Sequence, residues 1–432
     1  MKKISFCFLV GLLVTGNYLL AEEVAERILS LPDCLYYAQR NNSDILNAQQ
    51  EVTLAQQRLR EAKSQLYPRI DLMAAASRYE TGNFLSLPPV LSEINSFWIF
   101  SNRYPGQEYF IRLALWQPVY TSGRIKTNLT LARTKLSQSE SELEIIRNQI
   151  FFQIKSAYYQ ILAAQKQVQL NEEEAKLILA LRQRPEAKNP AVSQELDKYQ
   201  SEVNRVLINI RYDLEEKKIS LLKLLGLELN TQFSLKGELS EQTTDYNLNI
   251  LLANAYRNRP ELQQTQFAQT VDQLQLNMAF AQRFPTVVLS GSYDFLGADF
   301  PLPDKSWSAN LLITLPLFDG GAIFARIAQQ QTSIRQGKIK KVRLEDLIAA
   351  QVRQAYLAYR KNCQLLDLNR REKEQLVEVK LPTGVDTLGF LNYLNYRRAF
   401  RRIEDNYYQS LAELAISQSY LFSVVNLNEK NN

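Results

Sequence analysis

One stretch of the chain, from about Ile125 to Arg182, runs without Pro or Gly and repeats apolar residues at alternating steps of three and four. The positions that carry this repeat are Phe151, Ile154, Tyr158, Ile161 and Val168. A second set, Val352, Tyr356, Tyr359, Cys363 and Leu366, has the same spacing far downstream. Such spacing is typical of a left-handed coiled-coil seam. The first stretch predicts a helical rod of about 90 Å, at 1.5 Å per residue.

Four shorter stretches alternate apolar and polar residues, which predicts β-strands of about ten residues. Their apolar positions are Ile70, Leu72, Ala74 and Ala76; Tyr109, Ile111, Leu113 and Leu115; Val287, Leu289, Gly291, Tyr293 and Phe295; and Trp307, Ala309, Leu311, Ile313 and Leu315. Arg112 and Asp294 fall on the polar side of their strands. Two interpretations are open: lipid-spanning barrel strands, and half-buried strands of a soluble sheet. Taken alone, the alternation favours the soluble sheet, because the signal from each barrel strand is weak.

The chain contains an internal repeat. The segment from Tyr37 to Leu72 aligns with Asn254 to Leu289, and Pro68 then meets Pro285, an offset of 285 − 68 = 217. Further along, "RLALWQPVYTSGRI" aligns with "LLITLPLFDGGAI" at an offset of 316 − 118 = 198. The difference of 19 residues is a longer loop in the first half. Both halves therefore predict one order: helix, strand, loop, strand, long helix, turn and helix.

The second pair of aligned segments marks a change from strand to helix. The residues of this strand-helix switch are Pro118 and Gly123 in the first half and Pro316, Gly320 and Gly321 in the second. Four strands in one chain cannot close a barrel, and an open sheet edge is not tolerated in lipid. If the strands face lipid, several chains must share one barrel.

The first residues predict export. Lys2 and Lys3 precede an apolar run, and Ala21 precedes an acidic pair, which is the pattern of a secretory signal cleaved after Ala21. A membrane anchor is the alternative, but the apolar run is short for one. No Cys follows the cleavage point, so we expect no lipid anchor. Cys34 and Cys363 are expected to be buried free thiols rather than a disulfide.

Composition narrows the function classes. The chain has no His, and it has no Gly-rich phosphate loop, nucleophile motif or metal-ligand spacing. We therefore expect no enzyme, no cofactor and no metal. The net charge of +6 is modest for 432 residues, and no long run of like charge predicts nucleic-acid binding. Short charged segments in the long helices, "NEEEAK" and "REKEQ", are expected on a solvated helix face.

Four pieces of sequence together resemble the TolC family of outer-membrane efflux proteins. These are the half-openings "AQRNNSDI" and "AYRNRPEL", the helix-to-strand segments "LYPRIDL" and "RFPTVVLSGSY", the segment "LPLFDGG", and the turn "TGVDTLGFLNYLNYRRAF". Their order and duplication cover nearly the whole mature chain. The resemblance implies a mainly α fold with a small transmembrane β part. Three chains would form one 12-stranded β-barrel, continued by a long α-helical barrel.

The resemblance also implies a location and partners. It places a homotrimer in the outer-membrane lipid of a Gram-negative-type cell, with its helices in the periplasm. Such a protein is a passive exit duct that docks with a periplasmic adaptor and an inner-membrane pump, or with an ABC transporter of type I secretion. The alternative is a periplasmic coiled-coil structural or adaptor protein, which would explain the heptads but not four lipid-compatible strands.

On this plan the chain divides into nine parts. They are a signal peptide (1–21), a first-half N-terminal helix (22–66), strands 1 and 2 with an extracellular loop (67–120), a long helix with its periplasmic tip and return helix (121–226), an equatorial linker (227–247), a second-half N-terminal helix (248–283), strands 3 and 4 (284–318), a second long helix with its tip and return helix (319–426) and a tail (427–432). The extracellular loop is expected from about Thr81 to Gly106.

The resemblance makes the two periplasmic tips the candidate gate. The candidate residues are Asp197 in the first tip and Gly384, Asp386, Gly389 and Asn392 in the second. Acidic residues here form a selectivity ring in some relatives, but this chain has Gly389 and Asn392 where acids are frequent, and Asn189-Pro190 where Gly is usual. Asp197 and Asp386 have a second interpretation, as helix N-terminal caps. We expect only a mild cation preference, resting mainly on Asp197.

Overall fold

A computed structural model describes residues 27–78, 107–375 and 384–427. The expected signal peptide, the loop from Thr81 to Gly106 and nearly all of the expected tail lie outside these residues. Within them, the strands are β1 (Arg27–Leu29), β2 (Arg69–Arg78), β3 (Gln107–Tyr120), β4 (Phe233–Leu235), β5 (Thr286–Gly297) and β6 (Asp304–Thr314). The helices are α1 (Leu31–Asn41), α2 (Ser43–Ser64), α3 (Arg124–Arg182), α4 (Pro190–Leu225), α5 (Leu248–Asn258), α6 (Pro260–Ala281), α7 (Ala322–Gln375) and α8 (Thr387–Val425).

The four longer strands form one antiparallel sheet in the order β2-β3-β5-β6. They occupy the stretches that the alternation predicted. The register joins the apolar positions into one continuous face: Leu72 lies opposite Leu113, Leu113 opposite Tyr293, and Tyr293 opposite Trp307. Large side chains on this face are open to the surroundings of the protomer, with Leu72 at 71% and Trp307 at 75% exposure. The polar positions make up the other face.

The sequence predicted one N-terminal helix in each half, over 22–66 and 248–283. This was wrong, because the structure has two helices in each of these ranges. In the first half the break lies at Asn42, whose side-chain oxygen accepts the N–H groups of Asp44 and Ile45 and so caps α2. In the second half it lies at Arg259, because the ring of Pro260 disfavours helical backbone at the preceding residue. The short strand β1, also within 22–66, pairs in parallel with β4 of the linker.

The residue at each break binds the end of the return helix in its own half. Asn42 donates its amide N–H to the carbonyl of Leu224 at 2.8 Å, and Arg259 donates Nε–H to the carbonyl of Val424 at 2.6 Å. Both acceptors lie in the last turn of a return helix, where carbonyl groups have no intrahelical partner. Both return helices end in a left-handed residue, Gly226 at φ +67° and Asn426 at φ +56°. The duplication therefore extends to the helix ends.

The long helices carry the predicted seams. Ile154, Tyr158 and Ile161 are buried in one apolar cluster, which also holds the ends of α1 and α4. Val352, Tyr359 and Leu366 are buried in a second cluster with α5 and α8. Each half therefore has its own core, and α3 packs against both α4 and α8.

The linker between the halves forms a strap, residues 236–247, that crosses the helices. Tyr158 of α3 donates its hydroxyl to the carbonyl of Lys236 at 2.6 Å. Tyr359 of α7 accepts the N–H of Thr244 and donates to its carbonyl, both at 2.9 Å. Between these anchors, Leu239 packs against both apolar clusters. The strap thus ties the core of one half to the core of the other.

Among the helices in the described ranges, none combines the length and the apolar character that a membrane crossing requires. Cys34 and Cys363 are free, and Cys34 is buried. Burial raises the pKa of the Cys34 thiol to about 12.

Candidate functional site

The far ends of the long helices form two tips that meet in one protomer. The first tip joins α3 to α4 through a short 3₁₀ turn, Pro185–Lys188. Asn189 caps α4 by accepting the N–H of Ala191 at 3.0 Å, and Pro190 occupies the first helical position. Proline is well suited there, because that position needs no N–H donor. The pair Asn189-Pro190 therefore gives α4 a capped start without a glycine in the turn.

Asp197 does not cap a helix. It lies two turns into α4 and forms an ion pair with Arg182 at the end of α3. The carboxylate remains 59% exposed and the guanidinium 42% exposed, so the pair is open to water. For Asp197 the capping interpretation is wrong, and its charge is partly offset by a cation on the neighbouring helix.

Asp386 is a cap. Its side chain accepts the N–H of Gly389 at 3.0 Å at the start of α8. A β-carbon at Gly389 would lie 2.4 Å from the Val385 side chain and 2.8 Å from the Asp386 carboxylate. An acidic residue at position 389 would therefore disturb the capped turn. Gly384 adopts φ +77° just before this turn, and Asn392 is exposed on α8.

Polar and apolar contacts hold the two tips together. Asn189 donates its amide N–H to the Thr387 hydroxyl at 2.9 Å, and Gly384 donates its N–H to the Glu186 carboxylate at 3.1 Å. Beneath these bonds, residues of α3, α4 and α8 share one apolar cluster: Ile178, Leu181, Val192, Leu196, Tyr199, Val203, Leu207, Phe390, Tyr393 and Leu394. The start of α8 is therefore docked on the hairpin of α3 and α4.

A buried polar cluster sits above the tip, where α3, α4 and α8 meet. Glu174 is 2% exposed and forms two hydrogen bonds with the guanidinium of Arg397. The Tyr199 hydroxyl donates to the same carboxylate at 2.9 Å. Burial would lower the pKa of the Arg397 guanidinium, but the bonds and charge of Glu174 outweigh it and raise that pKa. Burial and the Glu174 charge also raise the pKa of Tyr199.

The sequence did not reveal this cluster. Glu174 belongs to "NEEEAK", for which a solvated helix face was expected, and for Glu174 that expectation is wrong. The signal that could have found it is position: Glu174 falls four residues before Ile178, on the buried side of α3.

The strand-helix switches lie together at one level of the protomer. The register of β3 shifts between Pro118 and Tyr120, and Gly123 at φ +80° begins α3. In the second half, the Asp319 carboxylate accepts the N–H groups of Gly321 and Ile323. These bonds stabilise the start of α7, just after Pro316 and Gly320. The Ser122 hydroxyl donates to the carbonyl of Pro285 at 2.8 Å, which links the first switch to the start of β5.

Within the residues that the structure describes, no group of three or more His, Cys, Asp or Glu side chains is arranged to hold a metal ion. The arrangement offers instead a sheet with one apolar and one polar face, and a long helical extension that ends in two tips in contact with each other.

Comparison with known proteins gives a family and a fold. The family model described as outer membrane efflux protein matches residues 34–184 and 251–379. No curated protein matches the sequence. Among solved structures, CusC, studied for folding and transmembrane channel formation, aligns with a TM-score of 0.72 at 15% identity and covers 91% of both chains.

Two further channels have the same fold. The CmeC outer membrane channel of Campylobacter jejuni aligns with a TM-score of 0.68 at 17% identity, covering 91% of this chain and 85% of its own. The open state of the MtrE outer membrane channel of Neisseria gonorrhoeae aligns with a TM-score of 0.67 at 16% identity, covering 91% and 88%.

Proposed function

The chain belongs to the outer membrane efflux protein family, and from this premise we propose how its parts build and control an exit duct. Members of the family are trimeric outer membrane channels of tripartite pumps, working with an adaptor and an inner-membrane pump. The protein is accordingly an outer membrane efflux channel with a helical extension into the periplasm. The alternative, a periplasmic adaptor or structural coiled coil, is set aside.

We propose that three copies close head to tail through the free edges of the protomer. The sheet ends at β2 on one side and at β6 on the other, and β6 is exposed along its whole length. The helices repeat this order, since α2 packs on α3, α3 on α6 and α6 on α7. Unpaired edges are not tolerated in lipid, and head-to-tail contacts close into a ring. The observation that carries the proposal is the continuous apolar face, which only lipid can cover in such a barrel.

The two faces of β6 give a test of this topology. Leu311 and Leu312 are neighbours with similar exposure, 62% and 56%, but they lie on opposite faces. Leu311→Lys places a charge toward lipid and is expected to lower the free energy of unfolding by about 2–4 kcal/mol. Leu312→Lys, the matched control, points into water and should leave trimer yield near wild type.

The measurement is the amount of trimer, by mass in detergent, extracted from outer membranes. The wild-type protein should have the mass of three chains. A monomer in detergent, or equal loss of trimer in the two lysine variants, would contradict the proposed closure.

We propose that the joined tips form the periplasmic entrance, with Asp197, Gly384, Asp386, Gly389 and Asn392 around it. Each tip residue occurs three times in a trimer, so one acid per chain makes a ring, and a narrow mouth concentrates ions of opposite charge. The Asp197 carboxylate faces Arg182, and the Asp386 carboxylate is engaged by a backbone N–H. Both contacts support a mouth with weak cation preference.

Charge changes at the tip should shift ion selectivity in opposite directions. Asp197→Asn leaves Arg182 unpaired and should lower cation preference, whereas Asn392→Asp adds an acid and should raise it. An interaction of about 0.5 kcal/mol per exposed charge corresponds to roughly a twofold change in the permeability ratio. The measurement is the reversal potential in a planar bilayer under a salt gradient.

Asp213→Asn is the control for the tip variants. Asp213 lies on α4 away from the tip and pairs with Lys217, so the same loss of charge should leave the reversal potential unchanged. Strong cation selectivity that survives Asp197→Asn would show that other residues line the mouth.

We infer that the duct is passive and that the energy comes from an inner-membrane partner reached through an adaptor at the tips. The choice between a pump and an ABC transporter of type I secretion is a question of partner identity. Mass spectrometry of proteins that co-purify with crosslinked trimers would answer it, since the two partners differ in whether they carry a nucleotide-binding domain.

A further inference from the structure

A buried ion pair on the polar face of the sheet joins the two halves of the chain. Arg112 of β3 lies directly opposite Asp294 of β5. The guanidinium donates Nε–H to Oδ1 at 2.7 Å and Nη2–H to Oδ2 at 3.0 Å, a two-point contact. The two side chains are only 7% and 6% exposed. Two-point arginine–carboxylate pairs are the geometrically most specific ion pairs in proteins.

Neighbouring side chains fix both partners. The Arg112 guanidinium carbon lies 4.9 Å from the centre of the Phe110 ring, which places the cation over the aromatic face. The Ser292 hydroxyl donates to the Asp294 carboxylate at 3.2 Å. These contacts and the burial of both side chains hold the Arg112 guanidinium and the Asp294 carboxylate in one mutual geometry.

The internal repeat does not supply this pair twice. By the two offsets, Arg112 corresponds to Asn310 and Asp294 to Ser77. The pair therefore occurs once in each protomer, at the contact between β3 and β5, which is where the sheet passes from one half of the chain to the other. A single buried ion pair at such a junction is suited to fix strand register.

Among the side chains that the structure describes, few others on the polar face are charged. Arg69 pairs with Asp71 on β2 at 2.9 Å. The positions beside the Arg112–Asp294 pair on β5 and β6 are neutral: Ser290, Ser292, Ser306, Ser308 and Asn310. Asp304 stands at the outer end of β6. A break in the Arg112–Asp294 pair would therefore leave an unpaired charge among neutral neighbours.

We propose that the Arg112–Asp294 pair sets the ion selectivity of the barrel by keeping the lumen neutral at its own level. This rests on the proposed closure, because the apolar face must meet lipid and the pair then faces the lumen. In a trimer the pair occurs three times around the pore. The intact pairs let solutes of either charge pass, whereas removal of one partner leaves a ring of three like charges facing the lumen.

The test is the reversal potential of purified trimers in planar bilayers under a salt gradient. Asp294→Asn should shift it toward anions, and Arg112→Gln should shift it toward cations, each by roughly tenfold in permeability ratio. The double variant R112Q/D294N has no charge at either position and should return to the wild-type value. The exchange variant R112D/D294R should also keep the wild-type value, because it keeps a pair.

The outcomes separate the two proposals. Wild-type trimers that form no pores would overturn the proposed function. Pores that form normally but whose reversal potential is the same in both single variants and wild type would overturn this inference alone, as would shifts of equal sign. If Arg112→Gln fails to assemble because its partner is left buried and unpaired, Asp294→Asn and the double variant still decide: a shift in the first that is cancelled in the second supports the inference, and any other combination overturns it.

Discussion

Gly226→Ala is expected to remove most of the folded protein from the outer membrane. Gly226 ends α4 with a left-handed backbone at φ +67°. A β-carbon there would lie 2.3 Å from the backbone oxygen of Asn41 and 2.6 Å from its carbonyl carbon. These are backbone atoms, and they cannot shift freely because α1 ends there and Asn42 binds both α2 and Leu224. The substitution therefore forces the α1–α2 corner away from the end of α4.

The expected loss has two parts. The left-handed backbone costs an alanine about 1–2 kcal/mol, and overpacking typically costs a further 1–3 kcal/mol. Together, about 2–5 kcal/mol is a large fraction of the roughly 5–15 kcal/mol that stabilises a typical domain. The measurement is the unfolding of purified trimers in denaturant, with the yield in the membrane as a second readout.

Two control variants separate backbone strain from the close contact. Gly123 has φ +80°, but nothing lies within 4 Å of the position of its β-carbon. Gly123→Ala should therefore cost only the backbone term, about 1–2 kcal/mol. Gly226→Asn imitates Asn426, the equivalent residue of the second half, and tolerates the backbone angle but still carries a β-carbon. If Gly226→Asn is as stable as wild type, or Gly226→Ala loses no more than Gly123→Ala, the close contact is not the cause.

Arg397→Met should loosen the periplasmic tip. The substitution keeps the volume of the side chain but leaves the Glu174 carboxylate buried without its cation, and breaking a buried pair in this way costs about 3–5 kcal/mol. The Tyr199 hydroxyl stays as the remaining partner of Glu174 in the described contacts. Because the cluster joins α3, α4 and α8, the loss should appear as local opening of the tip. Limited proteolysis at the tip should become faster while the sheet stays folded.

The matched control removes both charges. Glu174→Met together with Arg397→Met leaves no buried ion, and most of the stability should return, less about 1–3 kcal/mol for the Tyr199 hydroxyl without its acceptor. Arg402→Met, at an exposed position on the same helix, should have little effect. A double variant that is as sensitive to protease as Arg397→Met alone would contradict the buried-charge explanation.

The sequence predicted the strands and seams because their signals are periodic. Leu72, Leu113 and Tyr293 could be assigned to one face from alternation alone, and the register places them side by side. The breaks at Asn42 and Arg259 were missed, although a capping residue and a proline mark them, because a continuous helical pattern runs across both.

The candidate site was less accessible to sequence reasoning, since it depends on which helices meet. Nothing local to Asp197 indicates that Arg182 lies beside it, because the pair forms only when α3 and α4 fold back on each other. The burial of Glu174 likewise depends on α8, more than two hundred residues later in the chain. Periodicity gives the faces of an element, but pairing between elements decides the chemistry of the charges on them.

The strap over residues 236–247 has a mechanical consequence. It holds α3 at Tyr158 and α7 at Tyr359, so the two halves cannot slide along each other at this level without breaking both anchors. The strap therefore acts as a fulcrum, and α3 extends from it as a lever arm of about 36 Å to its end at Arg182, at 1.5 Å per residue. A tilt of about 10° at the fulcrum displaces the end of this arm by about 6 Å. Angles of a few degrees at the strap, where two tyrosine hydroxyls hold the chain, therefore correspond to displacements of several ångströms at the end of α3.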